Sequence, residues 1–136
     1  MLCTRHPPEL IEQGLKGSVI GAFLEVYHAL GYGLLESVYA AALVEELVAR
    51  GHTVEREVFV DAYYKGKAIS RQRLDLVVDR TLVLEIKATE VLSRFSFRQM
   101  LSYLTVTRLP LGLILHFGPR ARFHRLVCSR YRGMSK

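Results

Sequence analysis

Hydrophobic positions first recur at helical spacing. Leu10, Val19, Ile20, Phe23, Leu24, Tyr27 and Leu30 fall three and four residues apart, which predicts a helix over residues 9–30. Pro7 and Pro8 precede it, and Gly31-Tyr32-Gly33 ends it. A second helix is expected from Leu35 to Arg50, stopped by Gly51. The period then changes to two. Val54–Tyr64 reads as a strand rich in Val, Phe and Tyr, followed by a Lys65-Gly66-Lys67 turn. Ala68–Val78 and Leu82–Ala88 read as two more strands. Residues 91–107 return to helical spacing, and Pro110 closes them. Leu111–Phe117 and Ala121–Cys128 are strands around a Gly118-Pro119 turn. The order is ααβββαββ, which predicts one α/β domain over residues 1–136 with a mixed sheet.

Length and composition fit that picture. The chain has 136 residues, half of them hydrophobic and 24% charged, which excludes disorder. No apolar run reaches the roughly 20 residues of a membrane span. The first ten residues hold no apolar segment suited to a signal peptide. Cys3 and Cys128 are too few for a disulfide framework, so a cytoplasmic protein with free thiols is expected.

Charge is divided along the chain. Residues 1–61 hold nine acids and four bases, while residues 62–136 hold four acids and fifteen bases. No acid follows Glu90, and the stretch around 129–136 reads as a basic tail. Such asymmetry favours a polyanion, nucleic acid first; a solvated basic face or an acidic protein partner is the alternative.

Three stretches place charge where the pattern calls for apolar residues. In Leu82–Ala88, alternation puts Leu82, Leu84 and Ile86 on one face and Val83, Glu85 and Lys87 on the other. Glu85 and Lys87 are either an ordinary ion pair on a half-exposed strand or a functional pair, since a buried charge needs a partner or a metal. Asp75 sits among aliphatics ten residues earlier, although Asp is disfavoured in strands. A two-residue Asp79-Arg80 turn would pair Asp75 with Leu84 and separate the two carboxylates. A three-residue loop, Asp79-Arg80-Thr81, would set Asp75 opposite Glu85 and needs Asp79 or Arg80 in the left-handed region. Two facing carboxylates call for a cation, and a divalent metal is the natural one. In the second helix, Glu36 heads the stripe Tyr39, Ala40, Leu43 and Leu47. It serves either the helix dipole or a site.

The histidines and cysteines show no metal-ligand spacing, and no glycine-rich phosphate loop is present. A thiol enzyme and a nucleoside triphosphatase are therefore unsupported.

Gly33-Leu34-Leu35-Glu36-Ser37-Val38-Tyr39 resembles the signature of the GxxExxY proteins, a compact branch of the PD-(D/E)XK nuclease superfamily. The resemblance extends over nearly the whole chain. It takes in Tyr63-Tyr64-Lys65-Gly66, Asp75-Leu76-Val77-Val78, Glu85-Ile86-Lys87-Ala88, Gln99–Leu104 and Leu113–Gly118. Leu74 stands where the superfamily's proline would precede Asp75. The resemblance implies a restriction-endonuclease-like αβββαβ core, a mixed central sheet flanked by helices. Asp75 would be the first metal-binding acid, Glu85 and Lys87 the (D/E)xK pair, and Glu36 the helical acid near the metal. Gln99 would be a polar residue supplied by the next helix.

The expected activity is metal-dependent hydrolysis of phosphodiester bonds, with DNA favoured over RNA. Asp75, Glu85 and the Ile86 backbone carbonyl would hold Mg²⁺ or Mn²⁺, with Glu36 bound directly or through water. Lys87 would orient the attacking water or stabilise developing charge. Arg71, Arg73, Arg94, Arg98 and Gln99 would meet nucleic acid, and the Arg120–Arg132 run would extend that footprint. The alternative is a module that keeps the fold and binds nucleic acid or protein without cutting. The Phe95/Phe97 region and the last strand would serve a homodimer.

Overall fold

The computed structural model describes the backbone of residues 8–127, and side chains from residue 13 onward. Expectations for Cys3, Cys128, Arg130, Arg132 and the tail at 129–136 lie outside the described residues. The elements are α1 (Pro8–Leu30), α2 (Glu36–Ala49), β1 (Val54–Tyr64), β2 (Lys67–Val78), β3 (Leu82–Lys87), α3 (Arg94–Thr107), β4 (Leu111–Phe117) and β5 (Ala121–Val127). Their order is the expected one, with small shifts at the ends. The β1–β2 turn needs only Lys65 and Gly66, both at positive φ, so Lys67 already belongs to β2. α3 starts at Arg94 because the Ser93 hydroxyl caps it, accepting from the Phe95 N–H at 2.9 Å.

The sheet is α/β, five-stranded and mixed, in the order β1-β2-β3-β4-β5. β3 and β4 run parallel and every other neighbouring pair is antiparallel. The parallel pair needs a crossover, and α3 supplies it. α1 and α2 cover one face through Phe23, Tyr39 and Leu43 against Leu76, Leu84, Ile86 and Phe117. α3 covers the other face through Met100, Tyr103 and Leu104 against Leu74, Val77, Val83 and Ile114. Gly112 of β4 has no side chain because the Met100 side chain occupies the place a Cβ would take.

The residues of the glycine–glutamate–tyrosine signature hold the α1–α2 connection. Gly33 adopts φ +111°, a conformation that side chains rarely reach. The fully buried Tyr39 stacks on Phe117 with ring centroids 4.1 Å apart. Its hydroxyl donates to the Gly31 carbonyl and accepts from the Leu34 N–H. One phenol thereby satisfies two backbone groups of the loop that delivers Glu36 to the sheet.

A second anchor fixes the β2–β3 turn. The Asp79 carboxylate accepts from the Thr53 N–H at 2.8 Å and lies 2.7 Å from His52 Nδ1. The Ser18 hydroxyl meets the other ring nitrogen of His52 at 2.7 Å. This chain of contacts ties α1, the start of β1 and the turn together. Burial raises the Asp79 pKa, but the Thr53 and His52 contacts outweigh it and hold the carboxyl below its ordinary value.

Tyr39→Phe keeps the ring stack and removes both hydroxyl contacts. The expected loss is about 1–3 kcal/mol in urea unfolding with an unchanged m-value. A loss under about 0.5 kcal/mol would show that the loop satisfies its backbone another way.

Candidate active site

The three-residue Asp79-Arg80-Thr81 loop is the one present. Val78 pairs with Leu82, Val77 with Val83 and Leu76 with Leu84. Asp79 and Arg80 both take positive φ, 52° and 55°, without a glycine. Continued by one step, this register sets Asp75 opposite Glu85. Backbone pairing between β2 and β3 stops before that step. There the Asp75 carboxylate takes over the ladder's role, and its Oδ2 accepts from the Ile86 N–H at 2.9 Å. The strands splay around two carboxyl groups.

A local twist in β2 accompanies the splay. Leu74 and Val77 both belong to the α3-side cluster, whereas Leu76 and Val78 belong to the opposite one. Simple alternation is thus broken at Asp75. On β1, Glu57 adopts φ 49°, and the paired positions step from Arg56 with Leu76 to Val58 with Leu74. The irregularity lets Asp75 line a cleft on the α2 side while it still approaches Glu85. The cleft has a volume of about 290 Å³ and is lined by Glu36, Ser37, Arg56, Glu57, Arg73, Asp75 and Ile86 among others.

Glu85 is 4% exposed. Burial above all pushes its carboxyl up to about 8. Asp75 and, more weakly, Glu36 add to the rise, while Lys87 pulls the other way. Lys87 Nζ lies 3.6 Å from Glu85 Oε2 and donates to Gln99 Oε1 at 3.1 Å. Gln99 thus holds the lysine in place, which is where the structure puts the polar group expected from α3. Tyr103, one turn further along α3, is buried beside the acids. Burial and the charges of Glu85 and Asp75 push its phenol up to about 12. The Glu36 side chain reaches across from α2, and its Oε2 accepts from the Ala88 N–H at 3.3 Å.

The arginines divide into two groups. Arg73 lines the cleft, with Nη1 3.7 Å from Glu57. Arg71 stands further along β2, with its guanidinium 4.8 Å above the Phe59 ring. Arg94 and Arg98 are exposed on α3 and do not line the cleft. Phe95 is exposed, while Phe97 packs edge-on against His124 of β5 at 5.0 Å. Arg56 and Glu57 had no signal in the sequence, because only the kink at Glu57 brings them to the cleft. His116 had none either. It is buried in β4, and its Nε2 sits 2.7 Å from the Thr89 carbonyl, fixing the loop that follows Lys87.

The donors suit a hard divalent cation. Glu85 Oε1 is buried and has no hydrogen-bond partner, so one oxygen of this carboxyl group is left unsatisfied beside Asp75. Among the described residues no three acidic, histidine or cysteine side chains converge into a ready-made cage. Two carboxylates with open positions match the habit of Mg²⁺, which keeps waters and binds substrate phosphate. Glu36 meets the end of β3 through the Ala88 N–H and does not complete a three-carboxylate group.

An α/β fold in which a splayed hairpin presents one acid opposite an acid-x-lysine pair is restriction-endonuclease-like. The family model described as the PD-(D/E)XK nuclease superfamily matches residues 13–126, and the chain belongs to that superfamily. A solved structure, "Crystal structure of SSO0001", superposes with a TM-score of 0.55 at 20% identity. The match covers 67% of this chain and 48% of that one, so this chain spans about half its neighbour's length. That likeness concerns the fold. No curated protein matches the chain. Among the described residues no helix is long and apolar enough to cross a membrane.

The raised Glu85 pKa has a consequence for stability. In the metal-free protein the folded state keeps this proton up to about pH 8, whereas an unfolded carboxyl loses it near 4.5. The folded state therefore binds more protons across that window, and stability falls as pH rises through it. Thermal melts of chelator-treated protein should show this decline, and Glu85→Gln should flatten it. An equal decline in both proteins would contradict the assignment to Glu85.

Proposed function

We propose that this chain is a metal-dependent nuclease that hydrolyses phosphodiester bonds in nucleic acid, with DNA the favoured substrate. The observation that carries the reading is the buried, half-unsatisfied Glu85 facing Asp75, with Lys87 held beside it by Gln99. A stability-driven sequence would not keep a buried acid in that company, since replacing it with an apolar residue would remove the desolvation cost.

Asp75, Glu85 and the Ile86 carbonyl would hold Mg²⁺ or Mn²⁺, with Glu36 reaching the ion through water. The bound ion would supply an acidified water and charge stabilisation on the phosphate. Asp75 also pins the Ile86 N–H, which fixes the direction of β3 where the ligands sit. Glu36 fixes Ala88 and so orients the strand end beyond Lys87. Lys87 presents its ammonium next to the acids, where it orients the attacking water or stabilises charge on the phosphoryl oxygens. Gln99 removes much of the lysine's rotational freedom, so less is lost when the transition state forms. Arg73 at the cleft wall is placed to meet a phosphate, and its long, exposed contact to Glu57 is cheap to exchange. Arg94 and Arg98 would act further out on the backbone. Exposed Phe95 and the edge of β5 are the surface through which two copies would pair. Cytoplasmic residence fits such a substrate.

The test is cleavage of labelled single- and double-stranded DNA and RNA with Mg²⁺, Mn²⁺ or chelator. Wild type should cut only with metal. Glu85→Ala, Asp75→Asn and Lys87→Ala should each lose at least about 100-fold, and Gln99→Ala about tenfold. Metal-independent cleavage, or full activity in Lys87→Ala, would contradict the mechanism. Binding without cleavage on every substrate would assign the chain to the non-cutting alternative.

A further inference from the structure

The β1–β2 ribbon carries features that the cleavage chemistry does not use. The two strands pair from Val54 with Val78 out to Tyr64 with Lys67. β2 and β3 pair only between 76–78 and 82–84, so the ribbon from about 57 to 73 extends beyond the rest of the sheet. One of its faces is secured. Val58 and Val60 pack on the α3-side cluster, and Gln72 Nε2 donates to the Ser102 hydroxyl at 3.1 Å.

The other face has no such cover. Alternation along β1 puts Phe59, Asp61 and Tyr63 on it, with Phe59 54% and Tyr63 66% exposed, and Ile69 of β2, 61% exposed, lies at the register shift beside Tyr63. Cations lie among them: Arg71 over the Phe59 ring at 4.8 Å and Arg73 opposite Phe59 in the ladder, with Lys65 and Lys67 at the tip. The nearby acids restrain these cations loosely, with Asp61 3.9 Å from Arg71. The strip is continuous with the cleft, because Arg73 is the cross-strand partner of Phe59 and also lines the cleft beside Asp75.

We infer that this face is a stacking platform for unpaired nucleotides, leading a single-stranded segment of nucleic acid toward Asp75 and Glu85. The inference rests on the nuclease reading and adds the strandedness of its substrate. Exposed rings interleaved with cations suit a single strand, whose base faces are open to stacking while its phosphates meet Arg and Lys. An intact duplex presents phosphates but hides its base faces, so the rings would gain nothing from it. The cleft then receives phosphates next to unpaired nucleotides, and frayed or branched ends are favoured over blunt duplex.

Binding in chelator separates this platform from catalysis. Anisotropy of a labelled oligothymidylate and of a labelled blunt duplex would be followed with the full chain. Phe59→Ala and Tyr63→Ala should each weaken oligothymidylate binding about tenfold and leave duplex binding unchanged. Val48→Ala, at an exposed apolar position on α2, should leave both unchanged. Phe59→Trp should retain affinity. As the sole tryptophan in the chain, it should lose fluorescence when the oligothymidylate binds. Unaltered single-strand affinity in Phe59→Ala and Tyr63→Ala would overturn the platform. So would equal losses on strand and duplex. A wild type that binds neither nucleic acid would overturn it too, and would give the ribbon to a protein partner. The nuclease reading fails by a different result. Wild type that binds the oligothymidylate through the ribbon but cuts nothing with Mg²⁺ or Mn²⁺ removes the catalysis and leaves the platform standing.

Discussion

A one-residue slip in the β2–β3 hairpin would turn Asp75 to the wrong side of the sheet, away from Glu85. The register therefore decides whether the acids meet, and the turn decides the register. Asp79 and Arg80 adopt left-handed backbone conformations that ordinary side chains resist. Asp79 is held there by Thr53 and His52, and His52 in turn by Ser18 of α1. Contacts around an exposed turn thus set the geometry of a buried site several residues away. Gly33, Glu36 and Tyr39 do the same from the other side. The glycine turns the chain, the tyrosine fixes the turn, and the glutamate reaches the end of β3.

The site works against the fold that holds it. Backbone pairing is given up between Asp75 and Glu85, and a carboxylate substitutes for the missing ladder bond at Ile86. Burial of Glu85 beside another acid costs free energy, which Lys87 only partly offsets. Local rules of strand pairing and core composition are broken at one place, and the surrounding aliphatic core is large enough to tolerate it. Such concentrated conflict is expected where a fold serves chemistry rather than stability.

Much of this was legible in the residues. Period-two and period-three-to-four patterns located every described element, and alternation placed Glu85 and Lys87 on one face of β3. Hairpin arithmetic narrowed Asp75 to two outcomes, and only one joined it to Glu85. What alternation missed is the twist at Asp75. It coincides with the left-handed Glu57 on the neighbouring strand, and no glycine marks that position. The partners of His52 and His116 were also hidden, because both are made across long sequence separations with a turn carboxylate and a backbone carbonyl. Gln99 was visible as a polar residue on α3, but its grip on Lys87 depends on how the helix crosses the sheet. Arg94 and Arg98 carried charge without position, so sequence could not separate them from Arg73.

In the proposed function, the unsatisfied Glu85 oxygen and Asp75 form the binding edge for a divalent cation. The most direct measurement is anomalous diffraction from crystals of the protein grown with Mn²⁺. A single strong anomalous peak is expected between the Asp75 and Glu85 carboxylates, within bonding distance of the Ile86 carbonyl and absent from Glu85→Gln crystals. A peak elsewhere, or one that survives in Glu85→Gln, would contradict it.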